Sequence, residues 1–227
     1  MNRLLSSRWS KPAVFLLALA PVLVLGWRLI PLLKTGGQVY DPNLTADPIA
    51  YITHYTGDWT IRFLLITLAV TPLRKLFGLP KLARFRRMLG LFAFFYGSLH
   101  LMTWVWLDKF FDVREMLKDV EKRRFITMGM TAFALMIPLA ITSTDKWVRR
   151  LGFERWQLIH RLIYFSALAG VIHYYWLVKS DVRLPLMYGG ILAVLMAYRA
   201  AVWLRSTPRP RARPAKSTSP NTAYLRD

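Results

Sequence analysis

Four histidines are the main reserve of metal-binding and acid–base chemistry in this chain, because its 227 residues include no cysteine. Three of them, His100, His160 and His173, fall inside long apolar runs. An ionisable group in such a run is a functional candidate by default. His100 follows Arg87 by 13 residues, and His173 follows His160 by the same interval. If both runs enter a membrane from one face, His100 and His173 share a level on two helices. His160 then lies about 20 Å from that level, at 1.5 Å per residue. Two facing imidazoles at one level can supply both axial ligands of a haem iron, a bis-His b-type site. A hydrogen-bonded interhelical contact is the other reading of each ring. A three-His zinc site would need His160 and His173 to share an ion, and they lie too far apart along one helix. Thirteen residues also turn a helix by about 220°, so these two rings share a face only if the helix is distorted. His54, with Asp58 nearby, is read as solvated polarity in an outer loop.

Around the membrane histidines stand aromatic and small residues, among them Phe92, Phe94, Tyr96, Gly97, Tyr164 and Gly170. They could line a slot for a flat macrocycle, although any membrane helix is rich in such residues. Arg86 and Arg87 precede His100 at the level of His160. They read either as membrane anchors on the basic side or as partners of haem propionates. Arg161, beside His160, has the same two readings, since long basic side chains snorkel to the interface. The lack of cysteine excludes disulfides, thiolate zinc sites, Cys-bound iron–sulfur clusters and covalent c-type haem.

Helices long enough to cross a bilayer must position these groups. Apolar residues make up 55% of the chain and aromatics 14%, with nine Trp and a formal net charge of +20. The apolar residues collect in runs near the roughly 20 needed for a membrane helix. Six spans are expected: Pro12–Leu33, Ile61–Leu73, Met88–Leu107, Phe125–Ser143, Trp156–Val178 and Leu184–Leu204. The second is short and borrows Trp59 and Leu76–Phe77. The first runs too far past Ala18-Leu19-Ala20 to be a cleaved signal peptide, so it reads as a retained helix. One side of the six spans then carries 19 basic residues and three acids, the other ten basic residues and nine acids. The basic side is therefore expected to be cytoplasmic, with both termini there. The high pI is membrane topology and not a nucleic-acid footprint. Most Trp, Trp104 among them, fall near span ends, as an interfacial belt requires. No Asp or Glu is expected in mid-span, which argues against a proton-coupled transporter. No G-x-G-x-x-G or P-loop occurs.

The fold class that follows is an all-α membrane protein, a six-helix bundle over residues 12–205. Residues 1–11 form a cytoplasmic N-terminus, and residues 206–227, rich in Pro, Ser, Thr and Arg, form a disordered basic tail. Val113, Met116, Leu117 and Val120 recur at helical spacing between Asp108 and Arg124, predicting a short amphipathic surface helix.

Several stretches carry a family resemblance. They are His54-Tyr55-Thr56-Gly57, Thr71-Pro72-Leu73, Arg86-Arg87-Met88-Leu89-Gly90-Leu91, Ser98-Leu99-His100-Leu101 and Thr142-Ser143-Thr144. The fifth span adds Trp156-Gln157-Leu158-Ile159-His160-Arg161-Leu162-Ile163-Tyr164 and Ile172-His173-Tyr174. With these the chain resembles the MsrQ (YedZ) family, haem-binding membrane subunits of methionine sulfoxide reductase systems, within the ferric-reductase-like transmembrane superfamily. The resemblance covers roughly residues 10–205. It implies haem-ligating roles for His100, His160 and His173, one or two haems b, and FMN as a further cofactor. The superfamily's fourth histidine position is taken here by Arg86-Arg87. Arg123-Arg124 stands where the family usually has Arg-Pro. The resemblance also implies a location in the bacterial inner membrane and an MsrP-like periplasmic molybdenum-cofactor reductase as partner. Electrons would come from quinol or from a cytoplasmic flavin reductase, because no flavin or NAD domain is fused to the chain. The Val113–Val120 helix and the Lys34–Asp58 loop are the outer surfaces on which such a partner could dock. A transmembrane ferric reductase and a non-redox permease or scaffold are the competing readings.

Overall fold

The computed structural model describes residues 7–34 and 47–206, and these residues are helical throughout apart from short connections. The basic tail and most of the loop after Lys34 lie outside the described residues. Helix α1 spans Ser10–Lys34, α2 Pro48–Leu76, α3 Arg86–Met102, α4 Val113–Lys122 and α5 Arg124–Ile141. They are followed by α6 (Asp145–Leu151), α7 (Phe153–His160), α8 (Leu162–Leu177) and α9 (Arg183–Ser206). A 3-10 turn, Pro80–Phe85, leads into α3, and a π-helical turn, Thr103–Asp108, leads out of it.

Among the described residues, four helical stretches are long and apolar enough to cross a membrane: Ser10–Lys34, Pro80–Asp108, Arg124–Ile141 and Arg183–Arg205. The other two expected spans correspond to α2 and to α7 with α8. Of these only α2 is an inner element; α7 buries no residue and α8 only Ser166, Ala167 and Ala169, and the break between them leaves neither long enough alone. α2 forms the centre of the bundle. It buries Thr56, Ile61, Phe63, Leu64, Leu65, Thr67, Leu68 and Val70, and packs most extensively on α3, while α5 packs on α8. α1, by contrast, buries only Ala18, Pro21 and Leu25.

α2 begins far earlier than its apolar run. Asp47 caps it by accepting the amide of Ala50 at 3.0 Å, with Pro48 in the first turn, a strong start signal. His54 and Asp58 therefore stand on a bundle helix and not in an outer loop. Asp58 pairs with Arg62 at 3.2 Å one turn on, and the Arg62 Nε donates to the Tyr188 hydroxyl of α9 at 2.9 Å. The expected absence of acids from the spans is corrected accordingly. A pattern scan for apolar runs cuts α2 short because its partners, and not its hydropathy, satisfy these charges.

The fifth span is also modified. It breaks at Arg161, between α7 and α8. The Arg161 amide bonds to the Leu158 carbonyl and the Tyr164 amide to the Arg161 carbonyl, each at 3.1 Å. These three-residue bonds tighten one turn, so the helix between His160 and His173 is not regular.

Side chains bind the helices together where lipid offers no partners. The Tyr96 hydroxyl inserts into the α1 ladder, accepting from the Val22 amide at 3.2 Å and donating to the Ala18 carbonyl at 2.9 Å. It repairs the ladder beside Pro21. Ser166 of α8 donates to the Ala132 carbonyl of α5 at 2.9 Å. The amphipathic α4 forms as expected, anchored by an ion pair of 2.8 Å between Lys109 and the buried Asp119.

Candidate functional site

His100 on α3 and His173 on α8 meet across the bundle with ring centroids 6.0 Å apart and planes at 75°. Two imidazole nitrogens at about 2 Å from one ion place their ring centres roughly 6 Å apart. The expected match in depth is thus realised as direct juxtaposition. His100 Nδ1 lies 2.9 Å from the Thr53 carbonyl, and His173 Nδ1 lies 2.6 Å from the Phe125 carbonyl. A carbonyl only accepts, so each Nδ1 carries the proton and each Nε2 presents a lone pair. This is the arrangement that orients histidines toward a metal.

Two glycines make the pairing possible. A Cβ on Gly129 of α5 would stand 2.7 Å from His173 Nδ1, and one on Gly57 of α2 would stand 3.1 Å from His100 Nδ1. Each ring therefore lies against bare backbone. The pair lines a cavity of about 300 Å³ bounded by α2, α3, α5 and α8, with walls that include Gly97, Phe133, Met136 and Gly170. Of the residues expected to form the slot, only Gly97 and Gly170 line this cavity. Phe94 and Tyr164 line spaces beside His160, and Phe92 and Tyr96 turn to α1. Phe133, Met136 and Gly129 come from α5, which carries no histidine. Polar groups collect at one end of the cavity: His54, Asp58, Trp104, Asp108 and Arg123. The buried indole N–H of Trp104 has no partner among the described residues, which leaves a donor available to an anionic group.

His160 occupies a second level. Its Nδ1 lies 3.0 Å from the Trp156 carbonyl, and its ring stacks on Trp156 at 3.9 Å. Its Nε2 is buried and has no partner among the described residues. No second histidine faces it. It borders a cavity of about 250 Å³ with Arg86, Arg87, Gly90, Phe94 and Ser143. Leu64 and Met136 line both this cavity and the His100–His173 one, so the two spaces lie end to end. Arg86 and Arg87 are thereby brought to His160 as their level predicts. Arg87, however, is spent on Asp145 at 2.6 Å, leaving Arg86 free to face the cavity. Among the described residues no three His, Asp or Glu side chains gather to hold a bare metal ion.

These donors fit a haem. Three neutral histidines present Nε2 lone pairs, the cavities are largely apolar, and glycines give the rings room. Sequence reasoning reached the histidines through depth. It missed Gly129, because only the ring packed on it distinguishes it from other membrane glycines. It also took Trp104 for a belt residue.

Comparison with known proteins bears on the same region. Residues 56–171 match the family described as ferric reductase like transmembrane component. A protein of Herminiimonas arsenicoxydans, named protein-methionine-sulfoxide reductase heme-binding subunit MsrQ, is 58% identical over 173 residues, which is 75% of this chain and 79% of that protein. A protein of the same name from Xanthomonas campestris pv. campestris strain 8004 is 49% identical over 200 residues, 88% of each chain. Another from Bordetella parapertussis is 48% identical over 179 residues, 78% of this chain and 86% of that one.

Proposed function

The chain belongs to the ferric reductase-like transmembrane family and, within it, to the MsrQ haem-binding subunits, and from that membership we propose that it carries electrons across the bacterial inner membrane. The observation that carries the reading is the His100–His173 pair, with rings 6.0 Å apart and both Nδ1 atoms tied to backbone carbonyls. These two residues hold a haem b, for which iron supplies a one-electron redox centre. Gly57 and Gly129 admit the rings, the two carbonyls fix the tautomers, and Trp104 and Arg123 offer donors at the polar end of the cavity.

His160, with its bare Nε2, marks the adjoining cavity as the place of a second redox group, and Arg86 is the cation there that answers a propionate. The second group is a further haem, and FMN is the other cofactor that the resemblance carries. The basic face and both termini are cytoplasmic, as the excess of Lys and Arg on that side favours. Electrons enter there from quinol or from a cytoplasmic flavin reductase. They leave at the His100–His173 level to an MsrP-like periplasmic molybdenum-cofactor reductase. That partner uses two electrons and two protons to convert methionine sulfoxide in oxidised proteins to methionine and water.

The test is to reduce the purified protein and follow its visible spectrum after adding purified MsrP and methionine sulfoxide. Rapid reoxidation only with both supports the assignment. Equal reoxidation by ferric chelates alone, with no effect of MsrP, would transfer it to a ferric reductase.

A further inference from the structure

A third cavity, of about 420 Å³, opens at the basic end between α2, the start of α3, α7, α8 and α9. Arg74, Lys75, Arg161 and Arg199 line it, together with Arg86 and His160, which it shares with the cavity of about 250 Å³, and no Asp or Glu does. We propose that this cavity binds a phosphate group, carried by an anionic lipid headgroup or supplied as free inorganic phosphate.

The basic residues expected on this side of the bundle would normally extend into water or toward headgroups. Arg199 does neither. Its guanidinium donates to the Leu195 carbonyl at 2.9 Å and to the Leu68 carbonyl, and it lies over the Tyr164 ring at 5.5 Å. It is fixed as part of the wall. The acid available nearby goes elsewhere, since Asp145 pairs with Arg87 outside this cavity. None of the five lining cations has an ion pair among the described residues. Cations gathered in a partly enclosed space repel one another unless an anion joins them. The guanidinium fork matches phosphate oxygens, and Thr71, Tyr164 and Tyr198 add hydroxyl donors to the wall.

A haem propionate is a poorer fit. The apolar space that a macrocycle needs lies on the other flank of His160, among Phe94, Met136 and Leu139. Trp203, 66% exposed, stands at the cavity's edge, which places the opening on the lipid-facing side of α9.

The experiment uses the full chain in nanodiscs and three proteins: wild type, Arg74→Gln/Lys75→Gln, and Arg149→Gln/Arg150→Gln as a control on the same face outside the cavity. In one arm, native mass spectrometry measures retention of phosphatidylglycerol against phosphatidylcholine. In the other, the melting temperature is measured in phosphatidylcholine discs as inorganic phosphate is added. Preferential retention of phosphatidylglycerol, reduced on the order of tenfold by the cavity pair and unchanged in the control, identifies a lipid headgroup. A phosphate-dependent rise in melting temperature that the cavity pair abolishes identifies a soluble phosphate. The proposal fails if neither arm responds in wild type, or if the cavity and control variants lose binding equally. It also fails if the cavity variant loses haem in proportion to the ligand, since the cations would then serve propionates.

Discussion

Gly129→Ala should cost the protein its haem while leaving the fold intact. The added Cβ would lie 2.7 Å from His173 Nδ1 and 2.9 Å from Cε1. Contact between such atoms begins near about 3.5 Å, so the ring must retreat by about 0.8 Å. It cannot do so freely, because Nδ1 is held 2.6 Å from the Phe125 carbonyl, on the same helix as Gly129. Metal–ligand distances tolerate only about 0.2 Å, so the demanded shift is several times what ligation allows. The helix itself gains from the change, by up to about 1 kcal/mol of propensity. Destabilisation is therefore not the expected cause of any loss. The assay is the reduced-minus-oxidised visible spectrum, normalised to protein, with far-ultraviolet circular dichroism as the fold control. Gly129→Ala should lose the low-spin bis-imidazole signature of one haem. Gly57→Ala, at 3.1 Å from the His100 ring, should show a smaller loss. Gly190→Ala, whose Cβ meets nothing within 4 Å, should be silent. A Gly129→Ala protein with the full wild-type spectrum and midpoint potential would refute the ligand assignment of His173.

Three further outcomes are expected. His100→Ala and His173→Ala should remove the same spectral component and His160→Ala a different one, because the first two rings share a cavity and the third does not; redox-titrated difference spectra decide this. Trp104→Phe keeps the wall but removes its unpartnered N–H, so haem retention in a hemin-transfer assay should fall about tenfold, the value of a hydrogen bond to a charged group. The Lys109 ammonium is held above its ordinary value of 10.5, first by its bond to Asp119 and then by the nearby charge of Asp108, against the opposing effect of burial. A raised folded-state value contributes stability at lower pH that is lost as pH rises through it. Protection of α4 amides in hydrogen exchange should therefore fall above pH 10.5, and Lys109→Met should abolish that pH step.

The chain by itself determined the class of this protein and the addresses of its chemistry. Hydropathy and charge are summed along the chain, so apolar runs and the excess of Lys and Arg on one side could be read without knowing any contact. Depth along a helix is likewise a linear quantity, which is why His100 and His173 could be matched before their rings were seen together. The start of α2 was also legible in principle, since Asp47 and Pro48 form a capping pair, but its charges disguised it as a loop. What only the tertiary structure decided depends on rotation about helix axes and on what lies across an interface. The tightened turn at Arg161 breaks the regular helix between His160 and His173. The choice of Arg86 over Arg87 as the cavity cation follows from where Asp145 comes to rest. Gly129 matters only because a ring from α8 packs on it at a distance that no side chain would permit. Each of these is a contact between residues far apart in the chain, created by packing and carried by no local pattern.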